Sequence, residues 1–226
     1  MTKKVKRRKF NIKKFCLFLI FLLCIILGTS YLLKLPIKNI IIKGTYYLPD
    51  ELIIETAGIE NYPSFLKTTK SSIENKLKNI DIIKSVEIHK KIGGILEIEI
   101  EEKKILFIER STGKYILEDK TEEDLTYQIN GIPTLINFVV DDVKDKLIEK
   151  MSEVDYEVIT KISEIEYSPT TYDEERFILY MNDENTVYIT LNKIDEFKKY
   201  MDIKKQLEGK KGILYLDSGN YFEIKE

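Results

Sequence analysis

Cysteine is nearly absent from this chain of 226 residues. Cys16 and Cys24 are its two cysteines, and both lie in an uncharged apolar run, so the chain contains no thiol after residue 33. A disulfide cannot form there, and any folded domain must be held together by its hydrophobic core. Roughly 190 residues are enough for one large domain or two small ones.

Histidine is scarce and tryptophan is absent. A nucleophilic hydrolase needs a serine or cysteine beside a histidine base, but His89 is the single imidazole and there is no Gly-x-Ser-x-Gly motif. One imidazole without thiolates is too little for the three or four ligands of a zinc site, and no phosphate-binding Gly-x-x-x-x-Gly-Lys-Ser/Thr loop occurs. The sequence predicts no catalytic, cofactor-binding or metal site, and it predicts that His89 is a solvated strand residue.

Carboxylates are abundant, and glycosidase chemistry needs only two of them facing each other across a cleft. Glu97, Glu99 and Glu101 alternate along one predicted strand, about 7 Å apart. That spacing places them side by side on an open, solvated face. The remaining enzymatic alternative is a cell-wall hydrolase with a carboxylate pair in the second half of the chain.

A charged tail and an apolar run form the N-terminus. Residues 1–14 carry eight Lys or Arg and no acid, and residues 15–33 carry no charge. Nineteen helical residues span about 30 Å, the thickness of the hydrocarbon core of a bilayer. The pattern predicts a transmembrane helix over 15–33 and a basic cytoplasmic tail over 1–14, with the rest outside the membrane. The alternative is a cleaved signal peptide, whose apolar region is usually shorter.

The charge of the chain is divided between these compartments. The tail takes eight of the 36 basic residues, which leaves 28 basic against 38 acidic residues, about −10, in the remainder. A domain this acidic gains nothing from a phosphate backbone, so nucleic acid is excluded as its ligand. The tail itself can lie on anionic lipid head groups.

The first outer segment, 35–103, has the pattern strand, helix, helix, strand, strand. A β-branched run ends at Gly44, and Pro49-Asp50-Glu51 begins a helix that Gly58 ends. Ser71 or Ser72 is the predicted cap of a second helix. A Gly93-Gly94 turn then joins two strands into a hairpin, with an apolar face for the helices and an acidic face for water.

The second outer segment, 104–226, is predicted to be mostly β. It contains several short strands, a helix marked by Val143, Leu147 and Met151, and a second helix marked by Ile194, Phe197 and Met201. Two strands over 212–217 and 221–224 finish the chain.

This order of elements resembles the FtsQ/DivIB family of bacterial cell-division proteins, in which a POTRA domain is followed by a β domain. The positions that match the POTRA pattern are Ile37, Ile40, Ile42, Gly44, Leu48, Glu51, Ile53, Leu77, Ile80, Ile83, Val86, Ile88, Leu96, Ile98, Ile100 and Glu102. Three departures are Asp81 and Gly93-Gly94, where the family usually has proline, and Glu102-Lys103-Lys104 in place of Glu-Arg-x-Pro. The resemblance implies an α+β fold: one transmembrane helix, a β-α-α-β-β POTRA domain over 35–103, and a mixed, mostly antiparallel β domain with helices over 104–226.

The resemblance also implies a function, that of a non-enzymatic divisome scaffold without cofactor or small-molecule substrate. Its partners would be single-span coiled-coil division proteins of the FtsB/DivIC and FtsL types, and it would help to license septal peptidoglycan synthesis. In the family, the FtsB/DivIC partner adds a strand to the terminal edge of the β domain. The matching positions here are Tyr215, Asp217, Ser218, Tyr221, Phe222 and Ile224. A different function of the POTRA fold, binding of exported polypeptides, is the non-enzymatic alternative.

Overall fold

The computed structural model of the chain describes residues 12–125 and 129–225. The chain divides into two compact units, Met1–Glu101 and Glu102–Glu226. Most of the basic tail, residues 1–11, lies outside the described residues.

The first helix, α1, runs from Ile12 to Leu32 and begins three residues earlier than the predicted span. It is 21 residues long, and none of its side chains is buried. Among the described residues it is the one helix with the length and composition to cross a membrane. Its length of about 30 Å matches the hydrocarbon core of a bilayer.

A three-stranded sheet with two helices follows α1. Its strands are β1 (Asn39–Lys43), β2 (Ile83–Lys91) and β3 (Ile95–Glu102), in the order β1-β3-β2, with β1 parallel to β3. The helices are α2 (Asp50–Ala57) and α3 (Lys70–Leu77), which contribute the buried Ile53, Ala57, Ile73 and Leu77 to the core. This is the predicted β-α-α-β-β order.

Residues at the ends of the helices set the bounds of these elements, and the structure corrects one predicted helix cap. Gly58 ends α2 in the left-handed conformation at φ 69°, as the sequence predicts. The cap of α3 was predicted to be Ser71 or Ser72 but is Thr69, whose Oγ1 accepts a hydrogen bond from the Ser72 backbone N–H at 3.2 Å. The prediction was wrong because helix α3 begins at Lys70, two or three residues before the start that a cap at Ser71 or Ser72 would give.

The second unit contains a nine-stranded mixed sheet. Its strands are β4 (Ile105–Glu109), β5 (Tyr115–Leu117), β6 (Glu122–Glu123), β7 (Thr134–Leu135), β8 (Ile162–Tyr167), β9 (Arg176–Met181), β10 (Thr186–Thr190), β11 (Gly212–Tyr215) and β12 (Tyr221–Ile224). They lie in the order β12-β11-β10-β9-β8-β7-β4-β5-β6, and most of the paired neighbours are antiparallel. The chain therefore has the predicted α+β fold.

Helices bury their apolar sides in the core of this unit. They are α4 (Asp141–Ser152), α5 (Tyr156–Ile159), α6 (Ile194–Phe197), which follows a 3-10 turn over Leu191–Lys193, and α7 (Tyr200–Gln206). The helix predicted from Ile194, Phe197 and Met201 is thus two short helices. At the break, Phe197 and Tyr200 are both fully buried, and the Tyr200 hydroxyl donates to Asp183 Oδ1 at 3.0 Å.

Candidate functional site

Strand β12 ends the nine-stranded sheet at the C-terminus of the chain. It pairs with β11 in antiparallel register, from Gly212 opposite Ile224 to Tyr215 opposite Tyr221. Among the described residues no strand pairs with the other side of β12. The sequence indicated that this strand can lie at a sheet edge, and the structure places it there.

The backbone of β12 presents hydrogen-bonding groups at this edge. The Lys225 N–H donates to the Lys211 carbonyl at 2.9 Å, which makes those two residues a hydrogen-bonded pair. Because such pairs alternate in an antiparallel ladder, Glu223 and Tyr221 also bond toward β11. The backbone groups of Phe222 and Ile224 therefore point away from the sheet, where a strand from another chain can reach them.

A glycine brings β12 close to β11. A Cβ atom on Gly212 would lie 1.9 Å from the carbonyl oxygen of Glu223 and 2.9 Å from Cζ of Phe222. The Gly212 N–H donates to Oδ1 of the buried Asn185 at 2.9 Å. Only glycine fits here, so this residue determines how closely the edge strand packs.

Three tyrosines, one on each of β10, β11 and β12, form a row on one face of the sheet, and Arg176 on β9 extends it. The Tyr188 and Tyr215 ring centroids are 5.2 Å apart, and those of Tyr215 and Tyr221 are 4.6 Å apart, both nearly parallel. The Arg176 guanidinium lies 4.6 Å from the centroid of Tyr188. Tyr221 is the outermost member and is 51% exposed. Aromatic stacking of this kind gives a rigid apolar surface at the edge.

Hydrogen bonding fixes the middle of this row. The Tyr215 hydroxyl donates to Glu223 Oε2 at 3.0 Å, across the β11–β12 pair. This hydrogen bond to a carboxylate raises the pKa of Tyr215 above its ordinary value. The side chain of Tyr215 is therefore tied to β12 by its ring and by its hydroxyl.

Asp217 lies in the turn before β12 and is part of the scaffold of the domain. Its Oδ2 accepts from Arg176 Nε at 2.7 Å, and its side chain is 12% exposed. Burial alone would raise the pKa of Asp217, but the Arg176 guanidinium and the hydrogen bonds from Ser218 outweigh it and lower that pKa. Ser218 is exposed, and both its N–H and its hydroxyl donate to Asp217 Oδ1.

The other two predicted residues lie on β12 itself. Phe222 is half-buried and packs against the core, whereas Ile224 is 55% exposed. The structure thus brings all six predicted residues to one edge, and the side chains of Tyr221 and Ile224 are the most accessible of the apolar ones. Sequence reasoning missed Arg176 and Tyr188, because their approach to the edge depends on the order of the strands.

A shallow groove of about 330 Å³ adjoins this edge, beside Gly212 and Ile224. Glu184, Glu223 and Lys225 lie at its border, so a side chain entering it meets charges of both signs. These charged residues could form the polar rim of an interface, with an apolar side chain of a partner at its centre.

The acidic face of the first unit differs from its prediction at one residue. Glu99 and Glu101 are exposed, but Glu97 is 7% exposed, because Lys43 on β1 and Lys91 on β2 close over it at 3.3 and 2.6 Å. The hydrogen bond from Lys91 contributes most to lowering the pKa of Glu97, and the hydrogen bond from Lys43 and the charges of both lysines lower it further. The prediction that all three glutamates are solvated was wrong for Glu97, since lysines from both neighbouring strands meet there.

His89 lies between two carboxylates on this face. Its Nε2 is 3.5 Å from Glu87 Oε2 and 4.0 Å from Glu99 Oε2. One ligand atom from each of these three residues lies within 4.8 Å of the others, a spacing that could hold a metal ion. Both carboxylates are exposed, and exposed acidic groups are common without a metal ion.

Comparison with known proteins supplies the family. The family described as "POTRA domain, FtsQ-type" matches residues 35–103. The cell division protein DivIB of Bacillus cytotoxicus is 30% identical over 198 residues, which are 83% of this chain and 76% of that protein. DivIB of Geobacillus kaustophilus is 28% identical over 97% of this chain and 87% of the relative, and DivIB of Bacillus subtilis is 29% identical over 98% and 86%.

A solved structure is also similar to part of the chain. The major extracytoplasmic domain of DivIB from Geobacillus stearothermophilus, in its trans isomer, is 24% identical with a TM-score of 0.40, over 48% of this chain and 96% of that domain. Within this chain, helix α1 has the length and composition of a membrane-spanning helix. By its sequence identity to these relatives and its POTRA domain, the chain belongs to the FtsQ/DivIB family of bacterial cell division proteins.

Proposed function

We propose that this chain is a non-enzymatic, membrane-anchored scaffold of the division machinery. A basic tail over 1–14 lies in the cytoplasm, the helix over 15–33 crosses the membrane, and the POTRA domain (35–103) and β domain (104–226) lie outside the cell membrane at the division septum. The positive-inside rule supports this orientation. The partners are proteins, since the outer part carries a net charge of about −10 and repels nucleic acid.

The proposed activity is the capture of a strand from a partner of the FtsB/DivIC type by the edge of β12. A partner of the FtsL type joins the same complex, which then helps to assemble or regulate septal peptidoglycan synthesis. The observation that carries this proposal is the position of β12 at the end of the sheet, with the backbone groups of Phe222 and Ile224 pointing outward. Strand addition at such an edge gives affinity through the main chain and specificity through side chains.

The six residues have different parts in this proposal. Tyr221 and Ile224 supply apolar contact area, and Tyr215 supports the ring of Tyr221 from behind. Phe222 anchors β12 on the core, while Asp217 and Ser218 hold the turn that leads into the strand. Truncating Tyr221 or Ile224 should weaken binding, whereas truncating Asp217 should weaken the fold.

Proline substitution tests the edge directly, because proline removes one N–H and tolerates only an edge position in a strand. In Ile224→Pro the lost N–H points outward, so the fold should persist while binding to the partner weakens by at least about tenfold, from a lost hydrogen bond and a steric clash. The measurement is co-purification of the full-length chain with its FtsB/DivIC-type partner from membranes, alongside circular dichroism.

The matched control is Glu223→Pro, one residue away. Its lost N–H points toward β11, so this variant should release the edge strand and show a changed thermal unfolding curve. If Ile224→Pro binds as the parent chain does, the edge-strand proposal is wrong.

Two simpler measurements separate the alternatives. A fluorescent fusion should collect at the division septum, whereas a POTRA-type binder of exported polypeptides would be spread over the membrane. A zymogram on peptidoglycan should show no band, and a cleared band would establish a wall hydrolase instead.

A further inference from the structure

Three segments of the first unit meet where α1 ends. The Ser64 hydroxyl donates to the Leu33 carbonyl at 2.6 Å, the Phe65 N–H donates to the Leu35 carbonyl at 2.8 Å, and the Lys38 N–H donates to the Gly94 carbonyl at 2.8 Å. We refer to these segments, residues 33–38, 62–70 and 89–95, as the POTRA base. The hydrogen bonds hold the base beside the last turn of the apolar helix.

Apolar side chains are exposed on the base. Ile92, at the tip of the β2–β3 hairpin, is 100% exposed, and Leu66 is 50% exposed. A groove of about 270 Å³ beside them is lined by Leu32 of α1 together with Leu35, Phe65 and Leu66. The exposed apolar surface is therefore continuous with the surface of α1, and an apolar patch of this kind marks a contact site.

The charge of the base is opposite in sign to that of the outer part of the chain as a whole. Its three segments contain six lysines and no Asp or Glu, although the part of the chain after residue 33 carries about ten more acids than bases. Lys34, Lys38 and Lys67 are exposed beside the apolar side chains. Basic residues that flank apolar ones suit an interface with anionic lipid head groups.

Two further lysines give the base its shape. Lys90 Nζ donates to the carbonyls of Phe65 and Thr68 and lies 4.9 Å from the centroid of the Phe65 ring, which ties the hairpin to the 62–70 loop. Lys91 pairs with Glu97 at 2.6 Å. The apolar tip at Ile92 is thus held by the fold next to the loop that carries Leu66.

We propose that the POTRA base docks on the outer leaflet of the bilayer beside α1. Ile92 and Leu66 enter the boundary between head groups and acyl chains, and Lys34, Lys38 and Lys67 contact anionic head groups. The proposal rests on the membrane anchoring of the proposed function. Docking of this kind restricts the rotation of the POTRA domain about the end of the helix, and so fixes the direction in which the domain faces its partners.

The absence of tryptophan gives a clean test in the full-length chain. Ile92→Trp places the single indole of the protein at the tip of the base. The matched control is Tyr46→Trp, which also places an indole at an exposed site. Tyr46 follows Gly44 by two residues, and Gly44 packs on the backbone of Ile100. Ile100 is about 17 Å along β3 from the base. Each chain is reconstituted in vesicles of brominated phosphatidylcholine with phosphatidylglycerol, and quenching of the indole by the brominated acyl chains is measured.

Strong quenching of the Ile92→Trp chain, with little quenching of the Tyr46→Trp chain, is the expected result. Adding Lys38→Gln and Lys67→Gln to Ile92→Trp should reduce the docked-to-undocked ratio about 30-fold, because each lysine contributes about 1 kcal/mol near an anionic surface. Omitting phosphatidylglycerol should have a similar effect.

Equal, weak quenching of the two tryptophan chains would overturn the docking proposal, and insensitivity to phosphatidylglycerol would overturn the role of the lysines. Extraction of the same vesicles with alkaline carbonate distinguishes these failures from a failure of the anchor. A chain that stays in the membrane but is not quenched refutes the docking alone, whereas a chain that is extracted refutes the membrane anchoring of the proposed function.

Discussion

At the scale of single residues, Gly212 controls the edge of the β domain. Alanine at this position would drive its Cβ into the Glu223 carbonyl, where the separation would be 1.9 Å. We expect Gly212→Ala to lower the free energy of unfolding by about 1–3 kcal/mol, the usual cost of overpacking. Denaturant unfolding of the full-length chain measures this loss, and partner binding should fall with it because β12 is displaced.

Gly219→Ala is the control for Gly212→Ala, since it makes the same chemical change in the turn before β12. Its Cβ would meet side-chain atoms of Tyr221, at 3.1 Å, and no backbone atom within 4 Å. Equal stability of the two variants would show that the close approach at Gly212 has no energetic consequence.

At the scale of secondary structure elements, Glu97 joins the three strands of the POTRA sheet. It lies on the central strand β3, and its carboxylate contacts Lys43 on one neighbour and Lys91 on the other. Removing the carboxylate leaves the two ammonium groups to repel each other. We expect Glu97→Ala to lower the midpoint of thermal unfolding of the full-length chain.

Glu99→Ala is the matched control for Glu97, two residues along the same strand and on the same face. The Glu99 side chain is 58% exposed and its carboxylate lies 4.0 Å from His89 Nε2, so its loss should leave the midpoint unchanged. A similar midpoint for both variants would show that the buried carboxylate does not hold the sheet together.

At the scale of the whole molecule, the arrangement about the membrane can be tested with thiols. Both native cysteines lie within α1, so a cysteine introduced elsewhere is a specific reporter. In Tyr172→Cys, at a site that is 99% exposed, the thiol should react with a membrane-impermeant maleimide in intact cells. Labelling is measured on the purified full-length chain.

A cysteine in the basic tail, Lys4→Cys, provides the internal control. It should react only after the cells are permeabilised, because the proposed topology places the tail on the cytoplasmic side. The reverse pattern would invert the proposed topology, and the scaffold proposal would then be wrong.

Much of this protein could be predicted from short stretches of its sequence. A strand is specified by the period-two pattern over 96–101, and a helix by the apolar stripe of Val143, Leu147 and Met151. Both patterns are local, because each depends only on residues a few positions apart in the sequence. The apolar run before residue 34 likewise indicates the membrane helix. The order of such elements was enough to indicate the family.

Only the tertiary structure decided which residues meet. The burial of Glu97, the ion pair of Asp217 with Arg176, 41 positions apart, and the row from Tyr188 to Tyr221 all depend on the order of strands in a sheet. The same holds for the POTRA base, where residues near 35, 65 and 93 converge. A local pattern determines the type of each element, but contacts between distant strands depend on how the whole core is packed, and no short stretch of sequence encodes that.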